Sequence, residues 1–83
     1  MQIEITHKFQ EQLLKCSDNK IRFNVLKIIE EVQNIQKIAD VKNIKKLSGF
    51  RQYYRIRLGS YRIGLKFEKD AVIFSAFDHR SDI

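Results

Sequence analysis

The sequence predicts an α+β fold, in the order β-α-α-β-β-β, with an antiparallel sheet and an N-terminal helical hairpin packed on one face. Three observations carry it. Ile21, Val25, Ile28, Ile29, Val32 and Ile35 recur at helical spacing and form one apolar stripe. From Lys46 onward the apolar period drops to two, the signature of strands. Proline is absent and the three glycines stand at 49, 59 and 64, so no stretch reads as a linker and residues 1–83 form a single domain.

Each element has its own signal. In Gln2 to Ile5, Ile3 and Ile5 alternate with polar residues, as in a short strand. Thr6 is placed to cap the following helix, because its hydroxyl can accept from a first-turn backbone N–H. That helix sets Phe9, Leu13 and Cys16 on one face. Ser17-Asp18-Asn19 breaks it and caps the second helix, of about five turns. A short connection makes the two an antiparallel pair. Further on, Tyr54, Ile56 and Leu58 alternate with Tyr53, Arg55 and Arg57. Gly59-Ser60, with glycine first, suits a type II′ hairpin turn. Tyr61, Ile63, Leu65 and Phe67 alternate with Arg62, Gly64 and Lys66. Lys69-Asp70 marks another turn. Ala71 to Phe77 is nearly continuous apolar, as expected of a central strand covered on both faces.

Composition narrows the function. Hydrophobic residues at 43% and charged residues at 31% are those of a globular domain. One cysteine, Cys16, excludes an internal disulfide and a cysteine-rich zinc site. No apolar run approaches the roughly 18 residues of a membrane span. The first residues, MQIEITHKF, lack a signal-peptide core, so the cytoplasm is the expected compartment. There is no glycine-rich phosphate loop, zinc spacing or paired-carboxylate motif.

The charge is +6 overall and is concentrated. Lys42 to Lys69 holds nine Lys or Arg against one acidic residue, Glu68. If the apolar set of the hairpin faces the helices, Arg55, Arg57, Arg62 and Lys66 share the opposite face, beside Tyr53. Like charges on neighbouring strands repel. A fold that carries that cost has an anion to meet there, and phosphate fits. A merely solvated face is the competing explanation for the same four cations. Lys42, Lys45, Lys46 and Arg51 extend the basic set, either against a phosphate backbone or as solvated side chains. His7, Tyr54, Tyr61 and Cys16 read as structural.

Three segments resemble the RelE/ParE superfamily of bacterial toxins. They are Lys46-Leu47-Ser48-Gly49, Tyr54 to Ile63, and His79-Arg80-Ser81-Asp82-Ile83. The resemblance implies the toxin of a type II toxin–antitoxin pair, whose cognate antitoxin wraps it and masks the active surface. RelE-like members cut messenger RNA on the ribosome with cationic strand residues and no metal or other cofactor. ParE-like members keep the fold and inhibit DNA gyrase. A catalytically silent member that retains antitoxin binding is a third reading. By position, the resemblance assigns catalytic roles to Arg55, Arg57, Arg62, His79 and Arg80. It leaves Lys45, Lys46, Arg51, Tyr53 and Lys66 to bind RNA. Members of the superfamily commonly continue past H-R-x-D-I with a tyrosine that stacks on a base or joins the proton transfers. The sequence ends at Ile83, ahead of the position of that tyrosine.

Metal-free cleavage uses the 2′-OH as internal nucleophile and leaves a 2′,3′-cyclic phosphate. Guanidinium groups suit the charge that builds on the phosphoryl oxygens, which they grip two at a time. The proton transfers need a group that titrates near neutrality. His79 is the candidate, since an imidazole ordinarily titrates at about 6.5. Tyr53 is placed to stack on a base.

Overall fold

The structure is a computed structural model and describes residues 1–47, 49 and 52–79. The chain runs β1 (Gln2–Ile5), α1 (His7–Leu14), α2 (Asn19–Asn34), a 3-10 turn (Ile38–Asp40), β2 (Ile44–Lys46), β3 (Tyr53–Leu58), β4 (Tyr61–Glu68) and β5 (Ala71–His79). The five strands form one sheet in the order β1-β5-β4-β3-β2. Side chains of both helices join the inner face of that sheet in one core.

Both helix starts follow their capping chemistry. The Thr6 hydroxyl accepts from Phe9 N–H at 3.2 Å, and Asp18 Oδ1 accepts from Lys20 N–H at 3.0 Å and Ile21 N–H at 3.2 Å. Helix α2 is 16 residues long and ends one residue before the last member of its stripe, Ile35, which is its C-cap. Val25 and Val32 of that stripe are fully buried.

The hairpin turns behave differently from one another. Between β3 and β4, positive φ falls on Gly59 (+60°) and not on Ser60, as a type II′ turn requires. Between β4 and β5, Lys69 (+49°) and Asp70 (+65°) are both left-handed, as in a type I′ turn. Two non-glycine residues hold that conformation because Glu68 and Ala71 pair directly across it.

Two features go beyond the sequence expectation. A three-residue strand, β2, adds to β3, with Lys45 opposite Arg55. The sheet is antiparallel except at one edge, where β1 lies parallel to β5 and Ile5 is opposite Phe74. Neither has a local signal: β2 is too short to show a period, and strand direction at that edge depends on a partner almost seventy residues away.

The third feature sets the rest. Phe74 of β5 pairs with Leu65, but Ala76 pairs with Gly64, so Ser75 is an extra residue. This β-bulge inverts the side-chain alternation of β5 beyond it. Val72 and Phe74 point to the helices before the bulge, and Phe77 and His79 do so after it, in register with Ile63 and Tyr61. Phe9 of α1 meets both Phe74 and Phe77 edge-on, with ring centroids at 5.4 and 6.1 Å. All three rings are buried. The unbroken apolar run of β5 thus reflects a change of face more than a strand covered on both sides. On the outer face Ile73 and Ala76 are only half-buried.

The bulge is tied down at both ends. Ser75 Oγ donates to the Gly64 carbonyl at 3.1 Å, while Thr6 Oγ1 donates to the carbonyls of Phe74 (3.1 Å) and Ser75 (3.3 Å). Ser75→Ala is expected to lose one hydrogen bond and about 1 kcal/mol. Deletion of Ser75 is expected to abolish cooperative unfolding, because it turns Phe77 to solvent. Urea melts of both variants followed by circular dichroism check this; a deletion variant that melts like wild type would show that the bulge does not set the face.

Candidate functional site

The outer face of the sheet is read off directly from the register. One row across the strands is Arg57, Arg62 and Asp78; the next is Lys45, Arg55, Gly64 and Ala76; the next is Tyr53, Lys66, Ile73 and Glu4. Arg55, Arg57, Arg62 and Lys66 therefore share one face with Tyr53, as the alternation predicted, and Lys45 joins them through β2. Their partner set, Ile56, Ile63 and Leu65, is at most 1% exposed on the other side. Burial of that apolar row is what holds the cations outward.

At the centre of this face lies a hollow of about 240 Å³. Gly64 and Ala76 floor it, Arg55, Arg62 and Asp78 wall it, and Leu47 and Tyr54 also contribute atoms to its lining. A glycine inside a strand costs stability and marks a bulge or a close approach of another group. Here it does both. A Cβ on Gly64 would project into the hollow and meet Ala76 Cβ at 3.5 Å, an ordinary contact, so packing does not demand glycine there. A second hollow of about 300 Å³ lies toward β2, between Lys45, Arg55 and Arg57. Arg55 stands between the two.

The cations differ in their engagement. Lys66 Nζ pairs with Glu68 Oε2 at 3.0 Å and lies 5.6 Å from the centre of the Tyr53 ring. The hydrogen bond that Lys66 donates to Glu68, and then the charge of that carboxylate, hold Lys66 above the usual lysine pKa of 10.5. It is therefore a fixed cation and unsuited to act as a base. Among the described residues, Arg55, Arg57 and Arg62 form no ion pair. Asp78 is directly opposite Arg62, yet its carboxylate accepts from Gln12 Nε2 at 2.7 Å instead.

Two expected site residues fall elsewhere. His79 pairs with Tyr61 on the helix side of the sheet, its ring edge-on to that tyrosine at 5.0 Å. The bulge at Ser75 is the reason, since a regular β5 would have turned His79 outward. Lys46 is opposite Tyr54, so it too projects from the other face. Arg51 and Arg80 lie outside the described residues. Sequence reasoning passed over three residues of this region. Gly64 had a signal, an isolated glycine inside a strand pattern. Asp78 was hidden by the bulge, and nothing local marks Gln12.

A mixed sheet of this order, backed by two helices, matches known toxin structures. No family model matches the chain. Toxin RelE3 of Methanocaldococcus jannaschii is 45% identical over 71 residues, which span 84% of this chain and 81% of that protein. The chain belongs to the RelE family of toxins. The crystal structure of a RelB–RelE antitoxin–toxin complex from Methanococcus jannaschii matches with a TM-score of 0.86 at 36% identity, covering 95% of this chain and 92% of that one. The fold extends to the intact Escherichia coli RelBE toxin–antitoxin complex, with a TM-score of 0.74 at 21% identity over 94% of both chains. Among the described residues, no helix is long and apolar enough to cross a membrane.

The Lys66–Glu68 pair has a definite pH dependence. Because folding raises the Lys66 pKa above 10.5, the pair's contribution is fully present below that value and is lost as pH rises through the folded pKa. Glu68→Gln is therefore expected to lower the melting temperature slightly at pH 7 to 9, with the gap to wild type closing above pH 10.5. Paired thermal melts across that range check the sign.

Proposed function

We propose that the chain is the toxin of a type II toxin–antitoxin pair and that it cleaves messenger RNA on the ribosome by metal-free attack of the 2′-OH. The observation that carries this reading is the set of Arg55, Arg57 and Arg62 on one rigid face, none ion-paired among the described residues, around a glycine-floored hollow. In the proposed reaction the 2′-oxygen attacks the adjacent phosphorus, the P–O5′ bond breaks, and a 2′,3′-cyclic phosphate remains. Arg55 and Arg62 hold the phosphoryl oxygens as negative charge builds on them, and Arg57 holds a neighbouring phosphate. Lys45 continues the cationic track along β2. Tyr53, 37% exposed and braced by Lys66, offers a ring to a base. The ribosome supplies the geometry of the substrate, which an open face of this kind does not impose alone.

The proton transfers need a group that titrates near neutrality. His79 was the candidate from the sequence, and it projects from the opposite side of β5. That position favours a second reading, a toxin of this fold that acts by binding alone, on a topoisomerase or through its antitoxin surface. The cognate antitoxin is expected to be acidic and amphipathic. Its carboxylates would meet the arginines, and its apolar side would cover Leu14, Phe23 and Leu26, which are 71%, 61% and 58% exposed on the helices.

In vitro translation with the purified chain tests the nuclease. Cuts within ribosome-bound codons are expected, and Arg55→Ala/Arg62→Ala should reduce them at least about 100-fold. His79→Ala should leave cleavage close to the wild-type rate. Loss of cleavage in a folded His79→Ala would return the proton transfer to His79. Absence of cuts in the wild type, with inhibition of supercoiling by the same sample, would favour the topoisomerase reading.

A further inference from the structure

Oppositely charged residues placed directly across two strands ordinarily pair, because their Cβ atoms stand about 5 Å apart. Arg62 and Asp78 hold such positions in β4 and β5 and both line the central hollow. They form no ion pair. The Asp78 carboxylate is engaged instead from the side, by a residue of helix α1.

That residue is Gln12, and both ends of its amide are used. Gln12 Oε1 accepts from Phe77 N–H at 2.8 Å, and Nε2 donates to Asp78 Oδ1 at 2.7 Å. The two bonds fix the amide orientation, since the reverse would set N–H against N–H and oxygen against carboxylate. The backbone bond also explains why a helix residue is here. Strand β1 pairs with β5 only from Ala71 to Phe74, so the edge of β5 beyond it would be open. Helix α1 takes over that edge, with Thr6 at Phe74 and Ser75 and then Gln12 at Phe77.

We propose that Gln12 is a positioning residue that withholds Asp78 from Arg62 and so keeps the Arg62 guanidinium available to a phosphate. The inference rests on the arginine face being a phosphate site. Without Gln12, the Asp78 carboxylate swings to the cation opposite, neutralises it, and competes with any anion in the hollow. Nothing in this role requires Gln12 to touch substrate.

A double-mutant cycle separates this from a merely structural role. Inorganic phosphate is titrated against isotope-labelled protein, and the Arg62 Nε–H resonance reports binding. Gln12→Leu is expected to weaken binding about fivefold. Asp78→Asn alone should change it less than about twofold, while Gln12→Leu/Asp78→Asn should return to the level of Asp78→Asn. Equal effects of Asp78→Asn in both backgrounds would overturn the proposal, as would a wild-type Arg62 that does not respond to phosphate. If Gln12→Leu fails to fold, Gln12→Glu takes its place: it keeps an acceptor for Phe77 N–H and repels Asp78 toward Arg62, and the same rescue by Asp78→Asn is expected. The titration contains neither ribosome nor RNA. A chain that follows this pattern but cuts no message loses only the nuclease function, and one that cuts message but shows no coupling loses only the role of Gln12.

Discussion

Phe74 and Phe77 are three residues apart in one strand, and both bury against the same ring, Phe9. A regular strand would send them to opposite faces. The conflict between a fixed alternation and a shared core partner is resolved by one extra residue, Ser75. The faces of everything beyond it in β5 follow. Phe77 and His79 go to the helices, and Ala76 and Asp78 go to the open face. The floor of the central hollow and the acidic neighbour of Arg62 both depend on that single insertion.

The open face is a compromise between neighbours. Burial of Ile56, Ile63 and Leu65 fixes the arginines outward, and the register then crowds them: Arg57 is directly opposite Arg62. Such crowding is tolerable on a solvated face, where the high dielectric of water weakens the repulsion. Gly64 relieves it further by leaving space where a side chain would stand. Among the described residues, the carboxylates on this side lie away from the arginine rows or are occupied. Glu68 is held by Lys66, Asp78 by Gln12, and Glu4 lies on the far strand.

Local chemistry made most of the architecture legible. The caps at Thr6 and Asp18, the stripe of α2, and the alternation of β3 and β4 each follow from a few residues, and the structure agrees with all of them. The cationic set on the hairpin was legible for the same reason, because a two-residue turn fixes register and register fixes faces. What the sequence could not show depends on distant contacts. The parallel edge at β1 and the short β2 have no local period. The side of the sheet that His79 takes was not legible because Ala71 to Phe77 is nearly continuous apolar, so the strand shows no alternation from which a bulge could be read. Gln12 sits on a helix whose relation to β5 is purely tertiary.

The pairing of β1 with β5 also carries a consequence for the order of folding. Ile5 meets Phe74, and Phe9 has its aromatic partners at positions 74 and 77. On a ribosome, a growing chain presents α1 (His7–Leu14) long before Phe74 and Phe77 emerge. Contacts so far apart in sequence form late and slowly. Until they form, α1 has no surface on which to bury Phe9, and Gln12 has no strand edge to hold. The setting of Asp78 beside the arginine face therefore matures only once β5 has emerged and met α1, so this part of the surface is the last to take shape.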